Sequence, residues 1–265
     1  MKVKELQKEK PVDIMVTEMA DAHCHLDLID DPAVIHAAVR YGVHTMVTNG
    51  IGTKSNMRAL DLADNRHVFA AMGIDPETAM SASEEEVDFN IGMIKSNANK
   101  IVAIGEIGLD FKKTDDFKMV ALQRTVFGKM LDLALSLDLP VCIHSRDAMD
   151  QVFEMLLEKE MERVHLHFFE GSVEQAKKAE KLGYMISIPP LLSSKRFRAA
   201  KEMALDNIMA ESDAPAAGST PKDTESAIRI VAEAKGISFE KAAEALTANT
   251  KRFFNIKAKS SFMRM

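Results

Sequence analysis

The sequence predicts an α/β protein folded as one (β/α)8 barrel. Eight short apolar segments rich in β-branched residues recur along the chain, and most are followed by a segment whose apolar residues are three or four positions apart. The 265 residues are enough for eight such strand–helix units. An open doubly wound sheet is the alternative, but the chain lacks a phosphate-binding loop of the GxGxxG type. We therefore expect eight parallel strands that close into a barrel.

The predicted strands are taken in chain order, and Gly42, Pro140 and Gly183 mark three of their boundaries. They cover residues 18–26, 43–49, 68–74, 101–109, 140–146, 163–169, 184–190 and 207–215. Segments such as "QRTVFGKMLDLALSLD" between them have the apolar spacing of helices. We expect an extension over residues 1–17, a single barrel domain over 18–257 and a mobile tail over 258–265.

Composition narrows the class of protein. The net charge is −6, so a global positive field does not attract nucleic acid, and any such contact must be local. Two isolated cysteines, Cys24 and Cys142, do not suggest a disulfide scaffold. The sequence shows neither a signal-peptide pattern nor an apolar run long enough to span a membrane. We expect a cytoplasmic protein.

Polar residues recur where the predicted strands end. His23 and His25 end the first strand, in "ADAHCHLDL", and the period of two residues places both on one face while Cys24 points toward the helices. Four later strands end in residues of the same chemistry: Glu106, His144, His167 and Asp213. Because a parallel barrel gathers these ends at one rim, we expect the six side chains to meet.

Four histidines and two carboxylates are a ligand set for divalent metals such as Zn, Mn, Co, Ni or Fe. Six ligands exceed the three that one open catalytic zinc site takes from protein. Two ions roughly 3.5–4 Å apart, with Glu106 as the bridge, are typical of a two-metal hydrolytic centre. A lone histidine is more often a buried or surface residue without a ligand, so the hypothesis depends on the joint placement of all six.

Three nearby residues receive weaker interpretations. His165 lies two positions before His167 on the same face, and we expect it in the interior rather than among the ligands. Glu211 stands in the same relation to Asp213; it either orients a ligand histidine through the second nitrogen of that ring or belongs to an ordinary buried pair. Cys142 lies one layer below His144, and we expect it to pack rather than to bind metal.

The order of motifs resembles the TatD family of metal-dependent hydrolases, which are amidohydrolase-like barrels. The motifs are "DAHCHLD", "AIGEIGLDF", "QRTVF", "LPVCIHSRDA", "HFFEGS", "ESDAP" and "NTKRFF", and the resemblance covers roughly residues 18–255. It implies that one ion is held by His23, His25, Glu106 and Asp213, and the other by Glu106, His144 and His167. It also implies deoxyribonuclease activity, including 3′–5′ removal of nucleotides from single strands, with Mg²⁺, Zn²⁺ or Mn²⁺.

Two motifs depart from the family pattern. The family usually has histidines in a GVHPH-like segment after strand three, whereas this chain has "GIDPET" with Asp75 and Glu77. The family's HCFSG is "HFFEG" here, which adds Glu170 at the rim. Acidic groups at the rim repel a phosphodiester unless they bind a cation.

The sequence favours hydrolysis of a phosphodiester, with single-stranded DNA ends or a small phosphoester as substrate. Asp213 is the candidate proton acceptor and Glu106 the second catalytic carboxylate, while Ser145, Arg146 and Asp75 are candidates for substrate contact. Lys195 and Arg198, after strand seven, are candidate phosphate contacts or simply a solvated helix face. Hydrolysis of a carboxylic ester, lactone or amide, including deacylation of aminoacyl-tRNA, remains open, as does a metal-binding protein without nuclease activity.

Overall fold

The computed structural model describes residues 17–257, and most of the predicted extension and the predicted tail lie outside this range. Eight strands form one parallel sheet in sequence order. The strands are β1 Met19–Cys24, β2 Val43–Asn49, β3 Val68–Met72, β4 Ile101–Asp110, β5 Val141–Arg146, β6 Val164–Leu166, β7 Met185–Ile188 and β8 Ile208–Ala210. Every pair of consecutive strands is parallel, as the alternation of strand and helix patterns predicts.

The sheet closes between its first and last strands. The backbone N–H of Asp213 donates to the carbonyl oxygen of His23 at 2.9 Å, and that of His25 donates to the carbonyl of Ala214 at 2.7 Å. These two hydrogen bonds lie at the carboxyl ends of β1 and β8, where three of the predicted ligands are found. The predicted (β/α)8 barrel is therefore confirmed.

Helices surround the barrel, and many begin at a side-chain cap. Asp75, Ser83, Asp116 and Ser172 each precede a helix and accept hydrogen bonds from its first free backbone N–H groups. The helices are α1 Val34–Tyr41, α2 Thr53–Leu62, α3 Pro76–Ala79, α4 Glu84–Ser96, α5 Phe117–Leu137, α6 Met149–Glu158, α7 Val173–Lys181, α8 Ser194–Glu202, α9 Thr224–Lys235 and α10 Phe239–Phe253. Within residues 17–257, none of them is both long and apolar enough to cross a membrane.

Alternate residues of each strand pack into two separate cores. Ile104, Ile143 and Ile186 belong to the larger core, between the strands and the helices. A smaller core inside the barrel contains Cys142 and Ala103 with their inward-facing neighbours. The alternation places Cys24 in the outer core and Cys142 in the inner one, as the period of two residues predicts.

The amino end of the barrel interior is closed by the end of α10. Phe254 is 3% exposed and packs in the inner core with Met185 and Met209, which lie at the beginnings of β7 and β8. The Phe253 and Phe254 rings meet edge to face with centroids 4.8 Å apart. Burial of these aromatic surfaces stabilises the amino end and leaves the carboxyl end as the open mouth.

Five strands, β1, β3, β6, β7 and β8, are shorter than predicted at their carboxyl ends, and in three of them this moves a predicted ligand out of the strand. β1 ends at Cys24, β6 at Leu166 and β8 at Ala210, so that His25, His167 and Asp213 lie in the first residues of the following loops. The prediction that these side chains lie within strands was therefore wrong. Asp213 and Phe168 both have a φ of 46°, and this left-handed turn of the backbone ends the ladder.

Candidate metal centre

One oxygen of Glu106 faces the ends of β1 and β8. Glu106 Oε2 lies 3.3 Å from His23 Nε2 and 3.2 Å from His25 Nε2, and the two imidazole nitrogens lie 3.2 Å apart. Asp213 Oδ1 is 3.5 Å from His25 Nε2 and 3.7 Å from His23 Nε2. Four side chains from three strands therefore point at one small space.

The other oxygen of Glu106 faces the ends of β5 and β6. Glu106 Oε1 lies 2.9 Å from His144 Nδ1 and 3.2 Å from His167 Nε2. These two nitrogens are 3.3 Å apart. The His167 ring also stacks on the His23 ring, with centroids 3.8 Å apart and the planes within 10°, so the two groups of ligand atoms are adjacent.

Both groups fit a divalent cation. Ligand atoms about 2 Å from one cation lie roughly 3 Å from one another, which is the spacing within each group. His23 Nε2 and His25 Nε2 are so close that a single hydrogen can lie between them, and it would be shared by two nitrogen lone pairs. A cation bound by both nitrogens would satisfy both lone pairs. The six predicted ligands are therefore brought together in the pattern that two ions sharing Glu106 require.

Hydrogen bonds to the remote ring nitrogens orient two of these histidines. His25 Nδ1 is 2.8 Å from the backbone carbonyl of Asn49, and His144 Nε2 is 3.0 Å from Asp110 Oδ2. Each remote nitrogen donates its hydrogen, which leaves the other nitrogen free to bind metal. Asp110 is itself fixed, because its Oδ1 accepts from the backbone N–H groups of Lys112 at 3.0 Å and Lys113 at 3.1 Å.

Sequence reasoning missed the role of Asp110. The residue ends "GEIGLD", and the available signal was a carboxylate at the end of β4 beside a strand that carries a candidate ligand. Gly108 brings the two strands together: its φ is 143°, and a Cβ there would lie 2.0 Å from the carbonyl oxygen of His144. Only glycine fits this close approach.

The carboxylates and histidines shift one another's pKa values. Burial alone would raise the pKa of Glu106, yet the charges and hydrogen bonds of His167, His144 and His23 hold it well below its usual range. Burial would lower the pKa of His144, but hydrogen bonds to Asp110 and Glu106 raise it to about 10. Burial lowers the pKa of His23 to about 4, which keeps this imidazole neutral and able to bind a metal.

A layer of buried polar groups lies beneath the ligands. His165 is fully buried, and its Nε2 is 2.6 Å from Ser187 Oγ, which donates to Glu211 Oε2 at 2.6 Å. The backbone N–H of Phe168 donates to Glu211 Oε1 at 2.7 Å. His165 thus lies in the interior, in agreement with the sequence prediction.

The structure does not support the predicted hydrogen bond between Glu211 and the second nitrogen of a ligand histidine. Its Oε2 is 3.8 Å from His167 Nδ1, which is too long for a direct hydrogen bond. Glu211 instead holds the backbone of Phe168 in the left-handed turn that follows His167. It therefore positions the ligand through the main chain.

A cavity of about 550 Å³ opens over the ligands. Ser145, Arg146 and Asp75 line it, as the prediction of substrate contact requires. Arg146 is exposed, and none of the salt bridges formed within residues 17–257 involves it. Its guanidinium is therefore available to an anion.

The basic residues after β7, Lys195, Arg196 and Arg198, lie in different environments. Lys195 lines a neighbouring cavity of about 320 Å³, which shares Ser145 with the first. The structure does not bring Arg198 to the lining of either cavity; its Nε donates to the carbonyl of Ser194 at 3.2 Å. A phosphate contact by Arg198 stays a prediction, and the turn of α8 buries Arg196 instead.

Arg196 neutralises Glu170, one of the acidic residues by which this chain differs from the family pattern. It is 6% exposed, and its Nη2 donates to Glu170 Oε1 at 2.6 Å while the guanidinium lies 4.6 Å from the centre of the Phe168 ring. The predicted negative charge of Glu170 at the rim is therefore balanced. Asp75, by contrast, forms no salt bridge within residues 17–257; its two oxygens accept backbone N–H groups of α3, from Thr78 at 2.9 Å and Glu77 at 3.3 Å.

Comparison with known proteins agrees with this geometry. The family model described as TatD related DNase matches residues 20–255. A human protein named a deoxyribonuclease is 29% identical, over 89% of this chain and 94% of its own length. A protein of Methanocaldococcus jannaschii named an uncharacterized metal-dependent hydrolase is 30% identical, over 88% of this chain and 96% of its own.

Solved structures share the fold. The crystal structure of a TatD homolog from Escherichia coli has a TM-score of 0.83 and 27% sequence identity, and the match covers 92% of this chain and all of that one. A TatD family hydrolase from Entamoeba histolytica, at 17% identity, has the same fold with a TM-score of 0.82. The motifs, the barrel and the match over residues 20–255 lead to one conclusion: this chain belongs to the family of TatD related DNases.

Proposed function

We propose that this protein is a divalent-metal-dependent phosphodiesterase that removes nucleotides from the 3′ ends of single-stranded DNA. The observation that carries the proposal is the position of Glu106, whose two carboxylate oxygens face two separate groups of ligand atoms. The names of the human and archaeal relatives, a deoxyribonuclease and a metal-dependent hydrolase, support it.

Two cations bound by His23, His25, Glu106, His144, His167 and Asp213 would activate a water molecule and offset the charge of a phosphoryl group. Asp213 accepts the proton of the attacking water, because its carboxylate both belongs to the ligand group and lines the cavity. Glu106 holds the two ligand groups in a fixed relation. The reaction then needs little movement of charged protein groups.

The chain's own side chains position the substrate. Arg146 and Ser145 lie just beyond His144 and bind oxygens of the phosphate under attack, with the guanidinium acting through paired N–H donors. Ser145 Oγ is buried without a protein partner, so it has a free hydrogen-bonding capacity that a substrate can use. Lys195, in the neighbouring cavity, contacts the strand that leaves the site.

The test is cleavage of end-labelled single strands with Mg²⁺ or Mn²⁺, compared with protein treated with chelator. We expect stepwise shortening from the 3′ end, and about a 10²–10⁴-fold loss of rate in Asp213→Asn. Asparagine tolerates the left-handed conformation of residue 213, so this variant should fold. Asp206→Asn, on the amino side of β8, is the matched control.

A metal-loaded protein that leaves DNA intact but hydrolyses carboxylic esters or amides would replace the proposal with the alternative hydrolase. A metal-loaded protein that cleaves neither would leave a metal-binding protein without enzymatic activity.

A further inference from the structure

The lining of the metal cavity is divided into two arcs of different chemistry. Because the strands follow one another around the barrel in sequence order, the loops after β7, β8, β1 and β2 form one continuous arc of the mouth. This arc contributes four apolar residues to the cavity, and also Arg196, whose charge is paired with Glu170 of the opposite arc; the apolar residues are Leu191, Ala216, Leu28 and Ile51. The end of β5 and the loops after β3 and β6 form the opposite arc and contribute Asp75, Ser145, Arg146 and Glu170.

Two leucines of the apolar arc are exposed to solvent. Leu28 is 50% exposed and Leu191 is 45% exposed, although both line the cavity that contains the ligands His25 and Asp213. When a ligand covers exposed apolar surface at the mouth of a cavity, the removal of that surface from water favours binding. Phe168 also lines the cavity, but the guanidinium of Arg196 covers one face of its ring, so that face is not available to a ligand.

The polar arc has a positive charge at one position and a negative charge at another. The charge of Glu170 is balanced by Arg196, whereas Arg146, the last residue of β5, forms no salt bridge within residues 17–257. The carboxylate of Asp75, which likewise forms no salt bridge in this range, lies beside the apolar arc, where Thr78 of the same turn donates to the carbonyl of Ile51 at 2.7 Å. A phosphate is therefore attracted near Arg146 and repelled near Asp75.

We infer that Leu28 and Leu191 seat the base of the terminal nucleotide, and that Asp75 rejects a phosphate beyond it. The inference rests on the proposed function and specifies its substrate: a strand whose last nucleotide ends in a free hydroxyl. Leucine side chains offer no hydrogen bonds, so the seat accepts any base without reading sequence. Asp75 thereby restricts cleavage to chain ends.

Three small phosphodiesters separate these effects. Thymidine 5′-(p-nitrophenyl phosphate) carries a base and a free 3′-hydroxyl, methyl p-nitrophenyl phosphate lacks the nucleoside, and the 3′-phosphorylated thymidine ester carries the second phosphate. With Mn²⁺, we expect kcat/KM for the first ester to exceed that of each of the others by roughly tenfold. The preference over the 3′-phosphorylated ester should decrease as salt is added, since it arises from charge.

Substitutions assign each preference to its residues. Leu28→Ala with Leu191→Ala should remove most of the preference for the nucleoside, whereas Leu157→Ala, a comparably exposed leucine on α6, should not. Asp75→Asn should remove the discrimination against the 3′-phosphate and still cap α3. Glu77→Gln is the matched control, because Glu77 is exposed, pairs with Lys113 at 2.6 Å and does not line the cavity.

Equal kcat/KM values for the three esters in the unmodified protein would overturn the inference and leave the phosphodiesterase proposal intact. The same holds if the preferences exist but survive the Leu28, Leu191 and Asp75 substitutions. Failure to cleave any of the three esters with metal bound would overturn the inference together with the proposed function.

Discussion

The two ends of the barrel interior are built from the same strands but have opposite chemistry. On β5, Cys142 packs in the apolar inner core, and two residues later His144 points at Glu106. On β8, Met209 packs in the same core, and Asp213 lies four residues later among the ligands. A step of two residues along a strand keeps the inward direction and changes only the level in the barrel.

This difference shows that one end of the barrel stabilises the fold while the other end carries the candidate metal ligands. At the amino end, apolar burial around Phe254 contributes to folding. At the carboxyl end, buried carboxylates and imidazoles cost desolvation energy unless they bind a cation or one another. Changes at the two ends should therefore have separable effects, on stability and on metal binding respectively.

The largest effect is expected from Glu106→Gln. The amide cannot supply negative charge to both groups of ligand atoms, so affinity for both cations should fall and catalysis should decrease by about 10³-fold or more. Metal content by mass spectrometry and rates on a phosphodiester measure the two losses. Glu244→Gln, an exposed site on α10, controls for the substitution itself. Full metal content and activity in Glu106→Gln would remove its bridging role.

The largest effect at the opposite end is expected from Phe254→Ala. Loss of a buried phenyl ring should reduce the free energy of unfolding by about 3–5 kcal/mol, as measured by denaturant titration. Metal affinity and kcat of the folded fraction should stay unchanged, because the ring lies in the inner core away from the ligand atoms. A change in metal affinity of the folded protein would show that the two ends are coupled.

A smaller effect on metal binding is expected from Asp110→Asn. Asparagine has one oxygen in place of the two that accept from His144 Nε2 and from the backbone N–H groups of Lys112 and Lys113, and it carries no charge, so the ring is held less firmly and affinity for the second cation should decrease by about 10–100-fold. Calorimetric titration with Mn²⁺ should show one weakened site and one unchanged site. Equal weakening of both sites, or of neither, would contradict a role limited to His144.

The smallest effect is expected from Asp64→Asn, in the turn before β3 at the amino end. Burial opposes ionisation of Asp64, but the backbone N–H groups of Val68, His67 and Arg66 lower its pKa. A lowered folded-state pKa gives stability above the unfolded pKa that is lost as pH falls through the folded value.

The Asp64→Asn variant should therefore lose at most about 1 kcal/mol at neutral pH. The difference from the unmodified protein should vanish in acid, below the folded-state pKa of Asp64. Thermal unfolding followed across pH measures both effects, and a difference that grows as pH falls would contradict the assignment.

The sequence predicted the strands and the meeting of the six candidate ligands because both follow from local patterns. Apolar segments marked all eight strands, and polar residues at their ends identified His23, His144 and Asp213 before any contact was known. The exact strand ends were less predictable, since the left-handed turns at Phe168 and Asp213 depend on contacts between strands.

Other features require the folded chain. The bond from Asp110 to His144 and the ion pair of Arg196 with Glu170 join residues 34 and 26 positions apart. The closure of the amino end by Phe254 depends on where α10 docks, which the "KRFF" segment alone does not reveal. Sequence patterns indicate which residues face inward, and contacts between distant residues decide what each one touches.

The most direct test of the account is a crystal structure of the protein grown with Mn²⁺ and analysed by anomalous scattering. The account predicts two peaks about 3.5–4 Å apart, one against Glu106 Oε2 with His23 and His25, the other against Glu106 Oε1 with His144 and His167. A single peak, or peaks that do not touch Glu106 at saturating Mn²⁺, would contradict it.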